Sequence, residues 1–304
     1  MKQQLRSICM ILGFLVGSFF HEELGFLTPM LPVGIGIMLS ITFIGMDVSR
    51  LKPRRKHLTV LVAIYAIALL SWYVVQLMGY PLLAEALFFC AATPIASASP
   101  IIVSLLKGDV EFSTTAMVLS QAVFAVLMPL LLPLVVQSAH ISYGELALLS
   151  AAQIATVLVV PAFVAFLMRW WYPPCRNWSA KLRDVSLGIW VFNLVVVAAA
   201  GVERMQQAHI SLQEMLPVML GAAALCAFCF LFGYKLGAPH LRRECSQALG
   251  QKNTILSLYM ATQSYAAPLA YLGPLVYVFC HNLANAVQLS LATREESKRL
   301  KKRA

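Results

Sequence analysis

The chain has 304 residues, of which 60% are hydrophobic and 12% are charged, and its net charge is +10. Polar side chains are too few to cover a water-soluble globule of this size, so the composition predicts an all-α, polytopic membrane protein. The basic residues cluster between apolar segments. The positive charge is therefore interpreted as a sign of membrane topology, and nucleic acid is not expected as a partner.

Apolar segments of membrane-spanning length follow one another along the whole chain. A helix needs about 20 apolar residues to cross roughly 30 Å of hydrocarbon. Ten transmembrane helices are predicted, at residues 6–20, 27–47, 58–79, 82–107, 112–137, 144–168, 185–202, 214–234, 241–267 and 270–291.

The distribution of lysine and arginine tests this topology independently. If the N-terminus is cytoplasmic, 21 of the 23 basic residues fall on the inner side, whereas Arg204 falls outside and Lys252 within a span. This asymmetry follows the positive-inside rule. We therefore expect a multi-pass protein of a bacterial inner (plasma) membrane with both termini cytoplasmic. The basic tail, residues 293–304, is expected to be a solvated flank, with contact to anionic membrane lipids as the alternative.

The ten spans form a single transmembrane domain within residues 1–304, and they divide into two halves of five. Residues 1–138 and 139–292 are interpreted as two repeats, and because each has an odd number of spans, the second enters the membrane inverted. PIASASP (94–100) interrupts the fourth span, and ALGQKN (248–253) interrupts its counterpart, the ninth. Interruptions at corresponding positions predict two broken helices that face each other at mid-membrane.

The break in the fourth span is attributed to Pro100. Proline has no backbone N–H, and its ring clashes with the carbonyl four residues earlier, which frees acceptors that lipid cannot satisfy. Such backbone is tolerated where it lines a cavity or meets protein. Half-helix N-termini then attract anions, and half-helix C-termini attract cations. A proline kink packed against neighbouring helices is the alternative.

Four segments of the sequence resemble the bile acid:sodium symporter family. They are ITFIGMDVSRLKP (41–53), ATPIASASPIIVSLLKGDVEFSTTAM (92–117), LGQKN (249–253) and HN (281–282). The resemblance extends along nearly the whole chain, which is identified as a divergent, bacterial-type member. It implies a panel of four helices and a core of six that contains the crossed broken helices. It also implies sodium-coupled uptake of organic anions such as bile acids or small carboxylates.

The chain departs from the family pattern in its fourth and fifth spans. The family offers a Ser-Asn pair to sodium in the fourth span, where this chain has Ser99 followed by Pro100. Ser113 keeps the serine of the fifth span, but the threonine expected one turn later is Met117. The resemblance therefore implies a sodium site that has lost two of its side-chain ligands.

The ninth span departs further. The family's Glu-x-Gly-x-Gln-Asn is here Ala248 to Asn253, so an alanine replaces the carboxylate that would bridge two sodium ions, and Lys252 replaces the glutamine ligand. Hard cations such as sodium prefer oxygen ligands, and an ammonium group repels them. The sodium sites implied by the family are predicted to be degraded, and no cofactor is expected.

Lys252 is the polar residue that most needs an explanation. A cation at the membrane centre costs about 2.5–3.5 kcal/mol on insertion scales. We expect its ammonium group to occupy the place of sodium and to donate to Ser99, to the carbonyls of the fourth-span break and to Asn253. Two interpretations stay open: it carries a coupling proton, since burial disfavours a charged lysine, or it is a permanent charge that pairs with a carboxylate such as Glu244 or attracts the substrate. His281 is a second proton-carrier candidate, with a hydrogen bond between helices as the alternative.

These features favour a secondary active transporter of a small organic anion, bile-acid-like or a small carboxylate, that works by alternating access. Proton coupling is favoured over conventional sodium coupling, and a sodium-coupled symporter or a transporter-derived receptor is the alternative. An enzyme is not expected, because a serine near Lys252 has no oxyanion motif or nucleophile elbow to support it. The candidate substrate- and ion-binding residues are Ser97, Ser99, Pro100, Ser113, Gln251, Lys252, Asn253, His281 and Asn282.

Overall fold

The structure is a computed structural model that describes residues 2–47, 49, 51–136, 141–264 and 266–301, without the side chains of residues 2–7, 10 and 294–301. In this part of the chain the secondary structure is helical, apart from one isolated β-bridge. The α-helices are α1 (Lys2–Phe19), α2 (His21–Leu24), α3 (Leu31–Ile44), α4 (Arg55–Leu77), α5 (Pro81–Ala92), α6 (Ser99–Leu105), α7 (Val110–Val135), α8 (Tyr143–Ile154), α9 (Val160–Trp171), α10 (Trp178–Lys181), α11 (Arg183–Gln207), α12 (Leu212–Leu236), α13 (Arg242–Gly250), α14 (Thr254–Gln263) and α15 (Leu272–Lys301).

Seven helical segments among the described residues are long and apolar enough to cross a membrane. They are His21–Ile44, Arg55–Leu77, Val110–Val135, Tyr143–Trp171, Arg183–Gln207, Leu212–Leu236 and Pro268–Thr293. The prediction of an all-α polytopic membrane protein is thus confirmed. The count of ten spans stays a prediction, because the fourth and ninth predicted spans are each two short helices and α1 begins with the polar sequence KQQLR.

The limits of the predicted domains fall partly outside the structure. The predicted boundary between the halves, at 138 and 139, lies outside the described residues, as do residues 302–304 of the predicted tail. The rest of that tail continues α15 to Lys301 without a helix end at residue 293.

The long helices pack in two groups. In the first, α1 lies along α11, and α3 lies against α9 and α11. In the second, α12 lies against α5, α13 and α15, while α4 lies against α5 and α7. The helix α8 forms one long segment with α9 of the first group, through a π-helical turn (Ala155–Val159), and its side contacts α7 of the second group. The helix α14 packs against α5 and α15 of the second group, and the two groups also meet where α14 contacts α3, α8 and α11.

The contact between α1 and α11 is close because Gly17 has no side chain. A Cβ atom at this position would lie 2.2 Å from the carbonyl oxygen of Val195 and 2.9 Å from the Cβ of Ala198. Small residues allow helix backbones to approach closely in a membrane, where packing rather than the hydrophobic effect drives helix association. Gly17 therefore sets the distance between two helices of the first group.

We predict that Gly17→Ala destabilises the protein, because the added methyl group would overlap the α11 backbone. The expected loss of unfolding free energy is about 1–3 kcal/mol, as for other overpacked sites. The matched control is Gly188→Ala in α11, where a Cβ meets no atom within 4 Å. Unfolding of the purified protein in detergent measures the difference, and equal stability of the two variants would contradict the close contact.

Candidate ion- and substrate-binding site

The helix of the fourth predicted span is interrupted within PIASASP. The helix α5 ends at Ala92, residues 93–98 are not helical, and α6 begins at Ser99. The predicted role of Pro100 is wrong in one respect, because this proline lies in the first turn of α6. A proline is well tolerated there, since the N–H groups of a first turn have no partner within the helix. Pro100 thus starts the second half-helix, and the first one ends several residues earlier.

The ninth predicted span is interrupted over three residues, 251–253, between α13 and α14. Gly250 is the last residue of α13, and a Cβ there would lie 2.4 Å from the ring of Phe230. Asn253 caps α14, since its Oδ1 accepts a hydrogen bond from Leu256 N at 3.3 Å. The glycine ends one half-helix against a neighbour, and the asparagine begins the next by satisfying a free N–H group.

The two interruptions cross and hydrogen-bond to each other. Ala96 N donates to the carbonyl of Gln251 at 3.0 Å, and Asn253 N donates to the carbonyl of Pro94 at 2.9 Å. This is the pattern of a short antiparallel strand pair. Backbone groups that lipid cannot satisfy are therefore satisfied by the other break. The two predicted breaks are present in the structure, and they form one site.

Lys252 lies at the centre of this crossing. It pairs with Ile95 in an antiparallel β-bridge. The side chain of Lys252 is only 2% exposed, and that of Ile95 is fully buried. The backbone N–H of Ile95 donates to Ser120 Oγ at 3.0 Å, and this hydroxyl donates to the carbonyl of Met117 at 2.7 Å. A lysine is thus held in the protein interior beside hydrogen-bonded backbone of both breaks.

The environment of the Lys252 ammonium group differs from the predicted one. The side chain lies near Cys229 of α12. In the described part of the chain no hydrogen bond joins it to Ser99 or to the side chain of Asn253. Ser99 instead lies beside Ser113, with 3.4 Å between the two hydroxyl oxygens. The structure therefore places two serines together in α6 and α7, and the lysine on the side of α12.

Glu244, offered by the sequence as a partner for Lys252, lies elsewhere in the structure. Its carboxylate accepts a hydrogen bond from the backbone N–H of Asp109, next to α7. Asp109 in turn caps α7 by accepting from Phe112 N at 2.8 Å, and it accepts from Arg54 at 2.9 Å. Partial burial alone would raise the pKa of Asp109, but these hydrogen bonds lower it below its usual value. Glu244 thus belongs to a polar group at the N-terminal end of α13, whereas the crossing lies at the C-terminal end of this helix.

The remaining predicted site residues surround the crossing to different degrees. Ser97 is half-buried within the first break, and Gln251 is buried in the second with its Oε1 lacking a hydrogen bond. His281 and Asn282 lie on α15. Asn282 Nδ2 donates to the carbonyl of Val278 in the same helix at 2.7 Å. The structure therefore brings Ser97 and Gln251 to the crossing, whereas the hydrogen bond of Asn282 to Val278 stays within α15.

Tyr277 connects His281 to the crossing, and the sequence analysis missed it. Its hydroxyl donates to the carbonyl of Gly250 at 3.0 Å, and its buried ring meets that of His281 at 5.9 Å between centroids. The i, i+4 spacing of the two residues could have indicated that they share a helix face. Ser120 was also missed, although it follows Ser113 by seven residues and therefore lies on the same face of α7.

Sodium, as a transported ion, would meet few side-chain oxygens at the family positions. Ser99 and Ser113 keep one hydroxyl each. Met117 and Ala248 are buried and offer no oxygen, and Lys252 contributes a cation. The ligands that remain are these two hydroxyls, the amide oxygens of Asn253 and Gln251 and backbone carbonyls, a set without a carboxylate and with a cation beside it.

No family model matches the chain. It is similar to a probable sodium/metabolite cotransporter of the chloroplast, BASS1 of Arabidopsis thaliana. The two sequences are 26% identical over an alignment of 304 positions, which covers 95% of this chain and 73% of the relative. The similarity thus includes both helix breaks and the helices around them. This relative, named as a transporter, supports the resemblance to the bile acid:sodium symporter family that the sequence motifs indicate.

We predict that Ser120→Ala weakens the crossing, because it leaves the buried N–H of Ile95 without an acceptor. An unsatisfied buried donor costs about 1–3 kcal/mol of unfolding free energy. The control is Ser71→Ala, which removes a hydroxyl that donates only to its own helix, at the carbonyl of Ala68. Denaturant unfolding in detergent compares the two variants, and a loss no larger than that of the control would show that the Ile95 bond contributes little.

Proposed function

We propose that this protein is a secondary active transporter of a small organic anion, bile-acid-like or a small carboxylate, that works by alternating access. Similarity to a protein named as a cotransporter and a series of apolar helices support transport across a membrane. The positive-inside pattern supports a bacterial inner membrane with both termini in the cytoplasm. The relative is named for sodium and a metabolite, so the proposal differs from it in the coupling ion.

The proposed architecture has ten spans in two inverted halves. We assign α1, α3, α9 and α11, with α8 attached to α9, to the panel, and the second helix group to the core. The separate packing of the two groups supports this division, since alternating access requires one group to move against the other. The paired breaks also support it, because they fall in the fourth predicted span of each half.

One observation carries the proposed coupling: the buried Lys252 at the crossing of the two breaks. Two unit charges 4 Å apart repel each other by about 4 kcal/mol at an effective dielectric constant of about 20. Repulsion of this size would weaken sodium binding by roughly a thousandfold. The same charge attracts a carboxylate. Lys252 is therefore better suited to an anionic substrate than to a sodium ion beside it.

Proton coupling follows from the same charge. An anion beside Lys252 favours the protonated side chain, and by reciprocity the proton favours anion binding. The loaded carrier would then hold one anion and one proton, and the empty carrier would return after losing both. In the alternative, Lys252 keeps its proton throughout the cycle and acts as a fixed counter-charge. The first mechanism gives uptake that depends on the proton gradient, and the second does not.

A sodium-coupled symporter is the second candidate. Two observations favour it: the printed name of the relative, and the hydroxyl oxygens of Ser99 and Ser113, which lie together 3.4 Å apart. Backbone carbonyls at the breaks and the amide oxygens of Gln251 and Asn253 would have to supply the other ligands. This candidate requires the Lys252 ammonium group to stay on the side of Cys229.

The test is uptake of a radiolabelled bile acid and of radiolabelled short mono- and dicarboxylates into proteoliposomes under separate proton and sodium gradients, because a carrier that moves one monovalent anion with one proton carries no net charge. We expect an inward proton gradient to drive anion uptake and sodium to have little effect. Lys252→Gln should abolish the proton stimulation. The control is Lys235→Gln, which removes the same charge from an exposed position at the end of α12 and should behave like the wild type.

Three other outcomes would each overturn part of the proposal. Strong sodium dependence of the wild type would identify the second candidate. Proton-driven uptake that persists in Lys252→Gln would exclude Lys252 as the proton carrier. Saturable binding of an anion without uptake under any gradient would indicate a receptor built on a transporter scaffold.

A further inference from the structure

Two side chains of the proposed panel hold the end of α14, which belongs to the proposed core. Arg204 of α11 donates from Nη2 to the carbonyl of Thr262 at 2.9 Å. Gln153 of α8 donates from Nε2 to the carbonyl of Gln263 at 3.0 Å. Both acceptors are in the last turn of α14, where carbonyls have no partner within the helix. Two different helices thus close on the same short segment.

Arg204 makes a second contact with the core. Its guanidinium group lies over the ring of Tyr271, with 5.0 Å between Cζ and the ring centroid. A cation over an aromatic face is attracted by the ring, and a cation at a helix C-terminus is attracted by the helix dipole. The arginine is therefore bound to the core by three favourable interactions at one place.

The segment after α14 is also fixed within the core itself. Ala267 N donates to the buried carboxylate of Glu85, in α5, at 2.9 Å. This bond joins two elements of the same helix group, so a movement of one group against the other would leave it intact. The bonds of Arg204 and Gln153 join different groups, and the same movement would break them.

The position of these bonds along the membrane is informative. The helix α14 begins next to the crossing and ends ten residues later, roughly 15 Å away at 1.5 Å per residue. Arg204 is the one basic residue that the charge pattern places in an outer segment. Bonds at the far end of α14 therefore lie between the crossing and the predicted outer face.

We propose that Arg204 and Gln153 form an outer gate, which closes the path from the outer face to the crossing by binding the panel to the last turn of α14. The structure then has its outer side closed, and opening requires both bonds to break. This inference rests on the proposed alternating access, and it adds the residues that control one of the two openings. It makes no use of Lys252 or of the coupling ion.

The test measures access to the gate without any substrate. Ser264 directly follows the two residues that the gate binds and is fully buried, so Ser264→Cys introduces a thiol that is covered while the gate is closed. The full-length variant in sealed vesicles is treated from one face with a membrane-impermeant maleimide, and mass spectrometry of the modified peptides distinguishes residue 264 from the seven native cysteines. The reagent is added to each face in separate experiments.

Arg204→Gln in the Ser264→Cys background should increase the rate of labelling from the outer face about tenfold. A hydrogen bond from a charged donor stabilises the closed state by roughly this factor, and the variant loses it. Gln153→Leu should give a smaller increase, and the double variant a larger one. The control is Arg183→Gln, at the other end of α11, where the exposed arginine faces Asp184. We expect its labelling rate to equal that of Ser264→Cys alone.

The outcomes separate a gate from a merely stabilising contact and from a failure of the proposed function. Unchanged labelling in both Arg204→Gln and Gln153→Leu, or an increase only from the inner face, overturns the gate. A variant that lost its fold would be labelled from both faces, and Arg204→Lys, which keeps the charge, then provides the folded comparison. Faster outer labelling supports the gate even if no anion is transported in parallel flux measurements, and in that case the proposed function fails alone.

Discussion

The structure depends on the hydrogen bonds between two interrupted helices in the protein interior. Hydrocarbon offers no partner to a free N–H or carbonyl group, so a single broken helix would leave several backbone groups unsatisfied, at several kcal/mol each. Here each break supplies the partners of the other, through Ala96 with Gln251 and Asn253 with Pro94. The hydroxyl of Ser120 accepts a further hydrogen bond, from the backbone N–H of Ile95. The crossing is therefore possible only because both breaks lie at the same depth, and the remaining helices hold them there.

The sequence predicted the helix breaks well because their causes are local. Proline or glycine clustered with polar residues is a local signal for a helix break, so PIASASP and ALGQKN were visible without any tertiary information, although single prolines such as Pro129 and Pro133 lie inside the continuous helix α7. The role of Pro100 was predicted less well. Whether a proline ends a helix or begins one depends on where the preceding helix stops, and α5 stops at Ala92. The burial of Lys252 followed directly from its position within an apolar segment.

The partners of these residues could not be predicted, because they are set by packing between distant helices. Nothing near Lys252 in the sequence indicates that its side chain lies near Cys229, and nothing near Glu244 indicates that it accepts a hydrogen bond from Asp109 N. Gln247 is a further example, since its Nε2 donates to Asn285 and Gln288 of α15 at 2.9 Å each. Residue type predicts that a buried polar group has a partner, but the partner is a property of the fold.

The two ends of α14 have opposite electrostatic character, and this asymmetry links the proposed site to the proposed gate. The helix dipole makes the N-terminus, beside Lys252, partly positive and the C-terminus, beside Arg204, partly negative. Arg204 is thus attracted to its end of the helix, which favours the closed gate. Lys252 is repelled by its end, while the C-terminus of α13 at Gly250 attracts it. An anion beside Lys252 would receive attraction from both the ammonium group and the N-terminus of α14, and it would relieve the repulsion between them. Substrate binding would therefore stabilise the charged form of Lys252, which burial and the N-terminus of α14 disfavour when no anion is bound.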